Sequence, residues 1–404
     1  MNELDADVAV AGHLCLDLIP RIDLDAKGDA GAMRELAAPG RLTLVGPATA
    51  SLGGAVANAG LALARLGMRT SLTAKVGRDV LGQAILQLLE EARPGLAGAM
   101  LVDPRASTSY TVVLNPPGVD RCFLHHPGAN DELAADDVDL AALGACGALH
   151  FGYPPLMRTI YADGGAGLAR LFRRAQAAGT LTSLDMALPD RNSPAGRLDW
   201  RPWLATVLPA VDLFVPSFDE ILMMLRPDEY DRLVAVEPDR LVAAAGMALV
   251  DEIAEELLAL GAGAAGIKLG DEGFFLRTHA GPQRWNDRLL GRRLPLADWS
   301  HRRLLAPCFE VEVVGATGAG DCTIAGLLAA LVHGQAPVAA LTTAAGVGAF
   351  CVQSADATSN IPPWETVAAR IAAGWRRRTP RLPRPGWRDD PATGLCIGPH
   401  DGAA

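Results

Sequence analysis

Residues Val311 to Leu331, VEVVGATGAGDCTIAGLLAAL, constrain this chain more than any other stretch. The β-branched run Val311–Val314 predicts a strand. From Asp321 onward, Ile324, Leu327, Leu328 and Leu331 recur at helical spacing. Between them Gly315, Gly318 and Gly320 predict a tight loop, so the order is strand, glycine loop, helix. Backbone N–H groups at such a helix start, together with the positive end of the helix dipole, make an anion site. A Walker A loop would fit the Gly315–Gly320 spacing but needs a lysine where Asp321 stands. In a dinucleotide loop the same acid would face a pyrophosphate. A third reading accepts the acid: Gly318, Ala319 and Gly320 cradle a transferring phosphoryl group while Asp321 takes the proton of the attacking hydroxyl. A plain tight turn with an acid in the first helical turn would give the same residues, so the loop alone leaves the matter open.

The 404 residues are enough for one large α/β domain or two smaller ones, and 50% hydrophobic content is ample for a core. A net charge of −10 argues against a general nucleic-acid binder. The seven cysteines are scattered, without a CxxC pair or a metal-ligand cluster, which fits a reducing cytoplasm. The start, MNELDADVAVAG, shows no signal-peptide pattern, and apolar runs break before membrane-spanning length, so a cytoplasmic chain without membrane contact is expected.

Val8–Ala11 predicts a buried first strand, with Asp17 just past its end, where open α/β sheets bind ligands. A carboxylate there can accept two sugar hydroxyls. Ser51–Gly54 predicts a turn and Ala55–Leu66 a helix. The Gly53-Gly54 pair permits close backbone approach, and Asn58 is a poor helix former inside an alanine-rich helix, so a ligand role or a buried hydrogen bond should explain it. Thr70–Val76 reads as one strand. Thr108–Leu114 and Arg121–Leu124 read as a hairpin around Pro116–Gly118. From about Leu133 the pattern becomes βα alternation, beginning with a helix to Leu143, and Gly270 and Gly273 bracket a turn between two strands. Residues 281–307 look like an insertion, and the Arg/Pro-rich tail 376–404 is expected to be poorly ordered.

Two separated motifs together resemble the ribokinase-like (PfkB) carbohydrate kinase family: Gly53-Gly-Ala-Val-Ala-Asn58 with Leu66-Gly67 and Val76-Gly77-Arg-Asp79…Gly82, and Gly318-Ala-Gly-Asp321. The resemblance runs from about Ala6 to Ala373. It implies a three-layer α/β/α fold with a mostly parallel central sheet, spanning residues 1–375, and a small β-lid from segments near 13–50 and 105–130. It implies phosphorylation of a hydroxymethyl group of a sugar or sugar-like small molecule by ATP with Mg²⁺. Asp321 would be the general base, Gly318, Ala319 and Gly320 the anion hole, and Asp17, Gly53, Gly54 and Asn58 the substrate holders. Gly270 and Gly273 would touch the nucleotide, and the lid can mediate a homodimer. The chain departs from the family pattern at two points. Gly315 replaces an Asp that resembles a monovalent-cation ligand, which puts K⁺ activation in question. Ser217-Phe-Asp-Glu220 keeps the acid of an NxxE stretch without its amide, leaving Glu220 to order metal-bound water. A nucleoside kinase of the same fold, or a non-catalytic sugar-binding descendant, are the alternatives; a nicotinamide-binding oxidoreductase is the remote one.

Overall fold

The computed structural model describes residues 4–22, 39–40, 42–115, 122–142, 144–237 and 240–403. Much of the expected lid segment 13–50 and the whole of the hairpin tip Pro116–Gly118 therefore lie outside the described residues. In chain order the strands are β1 (Ala6–Gly12), β2 (Cys15–Pro20), β3 (Ala48–Gly53), β4 (Thr70–Thr73), β5 (Lys75–Gly77) and β6 (Leu101–Asp103). Then come β7 (Tyr110–Leu114), β8 (Cys122–His126), β9 (Cys146–Gly152), β10 (Leu181–Asp185), β11 (Leu213–Phe214) and β12 (Ala264–Lys268). The last four are β13 (Phe274–Thr278), β14 (Arg303–Ala306), β15 (Arg388–Asp390) and β16 (Leu395–Ile397).

Ten of these form one sheet in the order β15-β16-β14-β13-β12-β11-β10-β9-β1-β4. From β4 to β12 every pairing is parallel, and from β12 to β15 every pairing is antiparallel. Period-two alternation sends successive side chains to opposite faces, and each face carries its own core. Val8 and Val10 pack with the helices Ala55–Arg65, Ala319–Val332 and Pro337–Cys351, whereas Ala9 and Ala11 pack with Ala166–Ala177 and Leu241–Ala259. This is the three-layer α/β/α architecture. The helix Ala319–Val332 is apolar almost all round and is buried from Asp321 through Leu331 apart from Thr323, as a helix enclosed by neighbours should be.

A second sheet, β3-β2-β7-β8, stands apart from the first and occupies the two segments expected to form a lid. Asp17 lies on β2, paired with Ser51 and Thr111, rather than just past a strand end.

Several local expectations need correction. Thr70–Val76 is two strands broken at Ala74, and the segment after Leu133 holds a short 3₁₀ turn, Ala135–Asp137, instead of an α-helix. Val311–Val314 is not a strand. No neighbouring strand pairs with it among the described residues, Val313 and Val314 stay exposed, and the N–H groups of Val314 and Gly315 bond instead to the carbonyl of Val352. β-branched residues favour strands only where a partner surface exists. Residues 281–307 are built into the core: Trp285 and Trp299 are fully buried with ring centroids 5.4 Å apart, and Arg284 and Arg288 both pair with the buried Asp212. The tail is also structured. β16 joins β14 in the main sheet, with Leu395 in one core and Cys396 in the other. Ion pairs join it to the body, Arg381 with Glu272 and Arg302 of the body with Asp401 of the tail.

Candidate active site

The parallel register brings the carboxyl ends of β1, β9 and β10 level, because Gly12 and Asp185 both pair with Gly152. Of the residues that follow, Tyr153 donates its N–H to the Asp185 carbonyl at 3.4 Å, and the His13 ring lies 5.9 Å from the Tyr153 ring between centroids. Tyr153 adopts left-handed backbone (φ 68°), a strained state for a non-glycine residue that is often found at functional sites. Opposite them, Gly318 caps the helix Ala319–Val332 with φ 73°, and a side chain there would meet Ala357 at 2.4 Å. Glycine is thus required twice over at this position. The cap starts the helix so that Asp321 falls in its first turn.

Asp321 is the centre of the arrangement. Asn58 Nδ2 donates to its Oδ2 at 2.9 Å, and the Tyr153 hydroxyl donates to the same oxygen at 2.8 Å. Among the described residues, the buried Oδ1 has no hydrogen-bond partner. Burial raises the Asp321 pKa, while Lys268 and the two donors pull it back down. One oxygen is therefore anchored by neutral donors, and the other is left to accept a proton.

Behind this residue lies a charged cluster of which sequence reading singled out Glu220 but not Lys268 or Asp185. Lys268, at the end of β12, reaches both carboxylate oxygens of the buried Asp185, at 2.6 and 2.7 Å. A side chain on Gly320 would come within 3.4 Å of the Lys268 ammonium, so the lysine lies directly beneath the Gly318–Gly320 loop. Burial opposes the lysine's charge, but Asp185, Glu220 and Asp321 together push its pKa up. Burial lifts Asp185 to about 7 even with the ion pair in place, and lifts Glu220 to about 8. One ammonium thus faces three carboxylates, and burial holds each of them above its ordinary pKa. Glu220 caps its own helix, Oε2 accepting from the Ser217 N–H at 2.6 Å.

The other predicted substrate holders converge on the same place. A side chain on Gly53 would strike the Asp17 carboxylate at 2.3 Å, which puts that carboxylate over the glycine backbone. Gly54 has φ 89° and admits His13, whose Nδ1 would be 2.6 Å from any side chain at that position. Cys15 Sγ donates to Asp17 Oδ1 at 3.3 Å, and burial raises the Asp17 pKa against the effect of these bonds. His13 Nε2 lies 3.4 Å from His125 Nε2, which links β1 to the lid strand β8. Burial, followed by the charge of His125, drives the His13 pKa down to about 3, so that ring is neutral.

A cavity of about 520 Å³ opens beside the loop, lined by Ala319, Gly320, Lys268, Gly270 and Gly273 among others. Gly270 and Gly273, read from the sequence as nucleotide contacts, thus both lie on its wall. No group of three or more His, Cys, Asp or Glu side chains that could hold a metal occurs among the described residues.

A glycine-capped helix carrying a buried acid at the carboxyl edge of a parallel sheet, covered by a small second sheet, is the architecture of a ribokinase-like sugar kinase. The chain belongs to the pfkB family of carbohydrate kinases, whose model matches residues 7–364. It is similar to the ATP-dependent ribose-1-phosphate kinase of Halopiger xanaduensis, 24% identical over 367 residues, which are 90% of this chain and 98% of that protein. Fructokinase-2 of Zea mays is 28% identical over 183 residues, and the match spans 44% of this chain and about half (52%) of that protein. Among solved structures, the ribokinase of Arabidopsis thaliana complexed with ribose and ATP superposes with a TM-score of 0.65 at 17% identity, covering 90% of this chain and 98% of that one.

Proposed function

We propose that this protein transfers the γ-phosphoryl group of ATP to a hydroxymethyl group of a sugar or sugar-like small molecule. The observation that carries the proposal is Asp321: its Oδ2 is clamped by Asn58 and Tyr153, its Oδ1 is free, and it stands in the first turn of a helix opening onto the cavity. Oδ1 of Asp321 accepts the proton of the acceptor hydroxyl, which makes the oxygen nucleophilic as it attacks. The backbone of Gly318, Ala319 and Gly320 faces the group in transfer, with the helix dipole and the Lys268 charge behind it. Asp17, Gly53, Gly54 and Asn58 hold the acceptor, and the sheet β3-β2-β7-β8 excludes water from it.

The cavity's volume and its glycine-lined wall fit a nucleoside triphosphate. Mg²⁺ would be carried by the phosphates and water, with Glu220 assigned to ordering that water. ATP supplies the transferable phosphoryl group, and the ion neutralises its charge.

The test is ADP release from Mg²⁺-ATP across a panel of sugars, sugar acids and nucleosides, with Asp321→Asn as control. A sugar that drives ADP release in the native chain and about a hundredfold less in the variant supports the reading. An undiminished rate in Asp321→Asn removes Asp321 as the base. A response to nucleosides alone replaces the sugar with a nucleoside.

A further inference from the structure

The nucleotide cavity is not closed by the family-matched part of the chain alone. Arg378, beyond residue 364 where the family match ends, lines it together with Gly270, Asp271, Cys308 and Glu310. The tail is fastened to this wall along its length. Arg378 N–H donates to the Cys308 carbonyl at 2.8 Å, Glu310 N–H donates to the Arg376 carbonyl at 2.9 Å, and Phe309 and Arg377 form an antiparallel bridge between them. Trp375 stacks on Phe309 with centroids 4.5 Å apart, and the Arg377 guanidinium lies 4.3 Å over the other partner of that contact, the Phe309 ring. From the opposite side the tail holds the turn Gly270–Glu272. Arg381 pairs with Glu272 at 3.0 Å, and its N–H donates to the same carboxylate at 2.6 Å.

We propose that the stretch Arg376–Arg381 of the C-terminal segment is a working part of the nucleotide site, with Arg378 contacting the bound nucleoside triphosphate and Arg381 positioning the turn that lies against it. The charges on the cavity wall favour this role. Among the described lining residues the cations are Lys268 and Arg378. Lys268 is committed through two bonds to Asp185, whereas the Arg378 side chain has one partner among the described residues, Asp271 at 3.3 Å. A guanidinium carries five N–H donors, so most of the donors of Arg378 are available to an anionic or acceptor-rich ligand. The proposal rests on the kinase reading only in taking the ligand to be a nucleoside triphosphate.

The experiment is calorimetric titration of the full-length chain with Mg²⁺-ATP, paired with initial rates, for the native protein, Arg378→Ala and Arg384→Ala. Arg384 lies on the same segment but pairs with Asp389, away from the cavity, and serves as the control. Arg378→Ala is expected to weaken ATP binding and raise the KM for ATP about tenfold. Its kcat and acceptor KM should stay within about twofold of native, the signature of lost ground-state binding. Arg384→Ala should match the native protein. Unchanged ATP affinity in Arg378→Ala, or an equal loss in Arg384→Ala, overturns the proposal. A native chain that binds ATP but phosphorylates nothing sinks the kinase reading and leaves this one standing; a chain that binds no ATP sinks both.

Discussion

The hydroxyl of Tyr153 donates a 2.8 Å hydrogen bond to Oδ2 of Asp321, joining two residues 168 positions apart in sequence. Together with Asn58 it decides which carboxylate oxygen lacks a partner among the described residues, so the orientation of the Asp321 carboxylate depends on a residue held in strained backbone at a strand end.

Tyr153→Phe removes one of the two bonds that favour the ionised carboxylate, so the Asp321 pKa should rise. The acid limb of the rate profile then moves to higher pH, and activity falls more at pH 6 than at pH 9. Rates measured across that range decide the matter. Profiles that superpose after scaling would show that the tyrosine does not tune the base.

Lys268→Met should destabilise the fold by about 3–5 kcal/mol, because it strands the fully buried Asp185 without its cation. The double variant Lys268→Met/Asp185→Asn should recover part of that loss. Urea unfolding of the two single variants and the double variant measures the coupling. Strict additivity would mean that the pair contributes nothing beyond its separate members.

Glu220 is lifted to about 8 chiefly by burial, from the ordinary glutamate value of 4.5. A carboxyl raised in the folded state binds more protons there than in the unfolded chain between those two values. Its contribution to stability is present below the unfolded pKa and is lost as pH rises through the folded one. Melting temperature should therefore fall from pH 5 to pH 9, and Glu220→Gln, whose amide oxygen can still accept from Ser217, should flatten the fall. An identical slope in the variant would remove Glu220 as its source.

Leu395→Ala should cost about 2–4 kcal/mol, the usual price of emptying a fully buried leucine site. Chemical denaturation reads this directly. A change below about 0.5 kcal/mol, the range of ordinary surface substitutions, would mean that β16 is dispensable to the fold.

The glycine loop and Asp321 were legible in the sequence because the signal is local: an apolar helical period begins at the acid, and three glycines precede it. Asn58 was legible as an oddity, a poor helix former among alanines, and the structure explains it through its bond to Asp321. Tyr153 and the Asp185–Lys268 pair were not legible, since each residue ends a different strand and only sheet order makes them neighbours. Val311–Val314 misled because propensity speaks of side chains, not of whether a partner strand is present. In the tail, arginine and proline masked a two-residue alternation, Leu395 and Cys396, too short to stand out by period.

The helix that carries Asp321 is enclosed on nearly every side, so its carboxylate is as immobile as the core itself. Asp17 and His125, by contrast, sit on the small outer sheet, whose strands share no ladder with the main one among the described residues. On the proposed reading, the proton acceptor would be fastened to the part of the molecule least tolerant of change, and Asp17 to a part that can be recut independently. A descendant of this chain could trade one acceptor for another by altering residues of that outer sheet while leaving the proton-accepting end untouched.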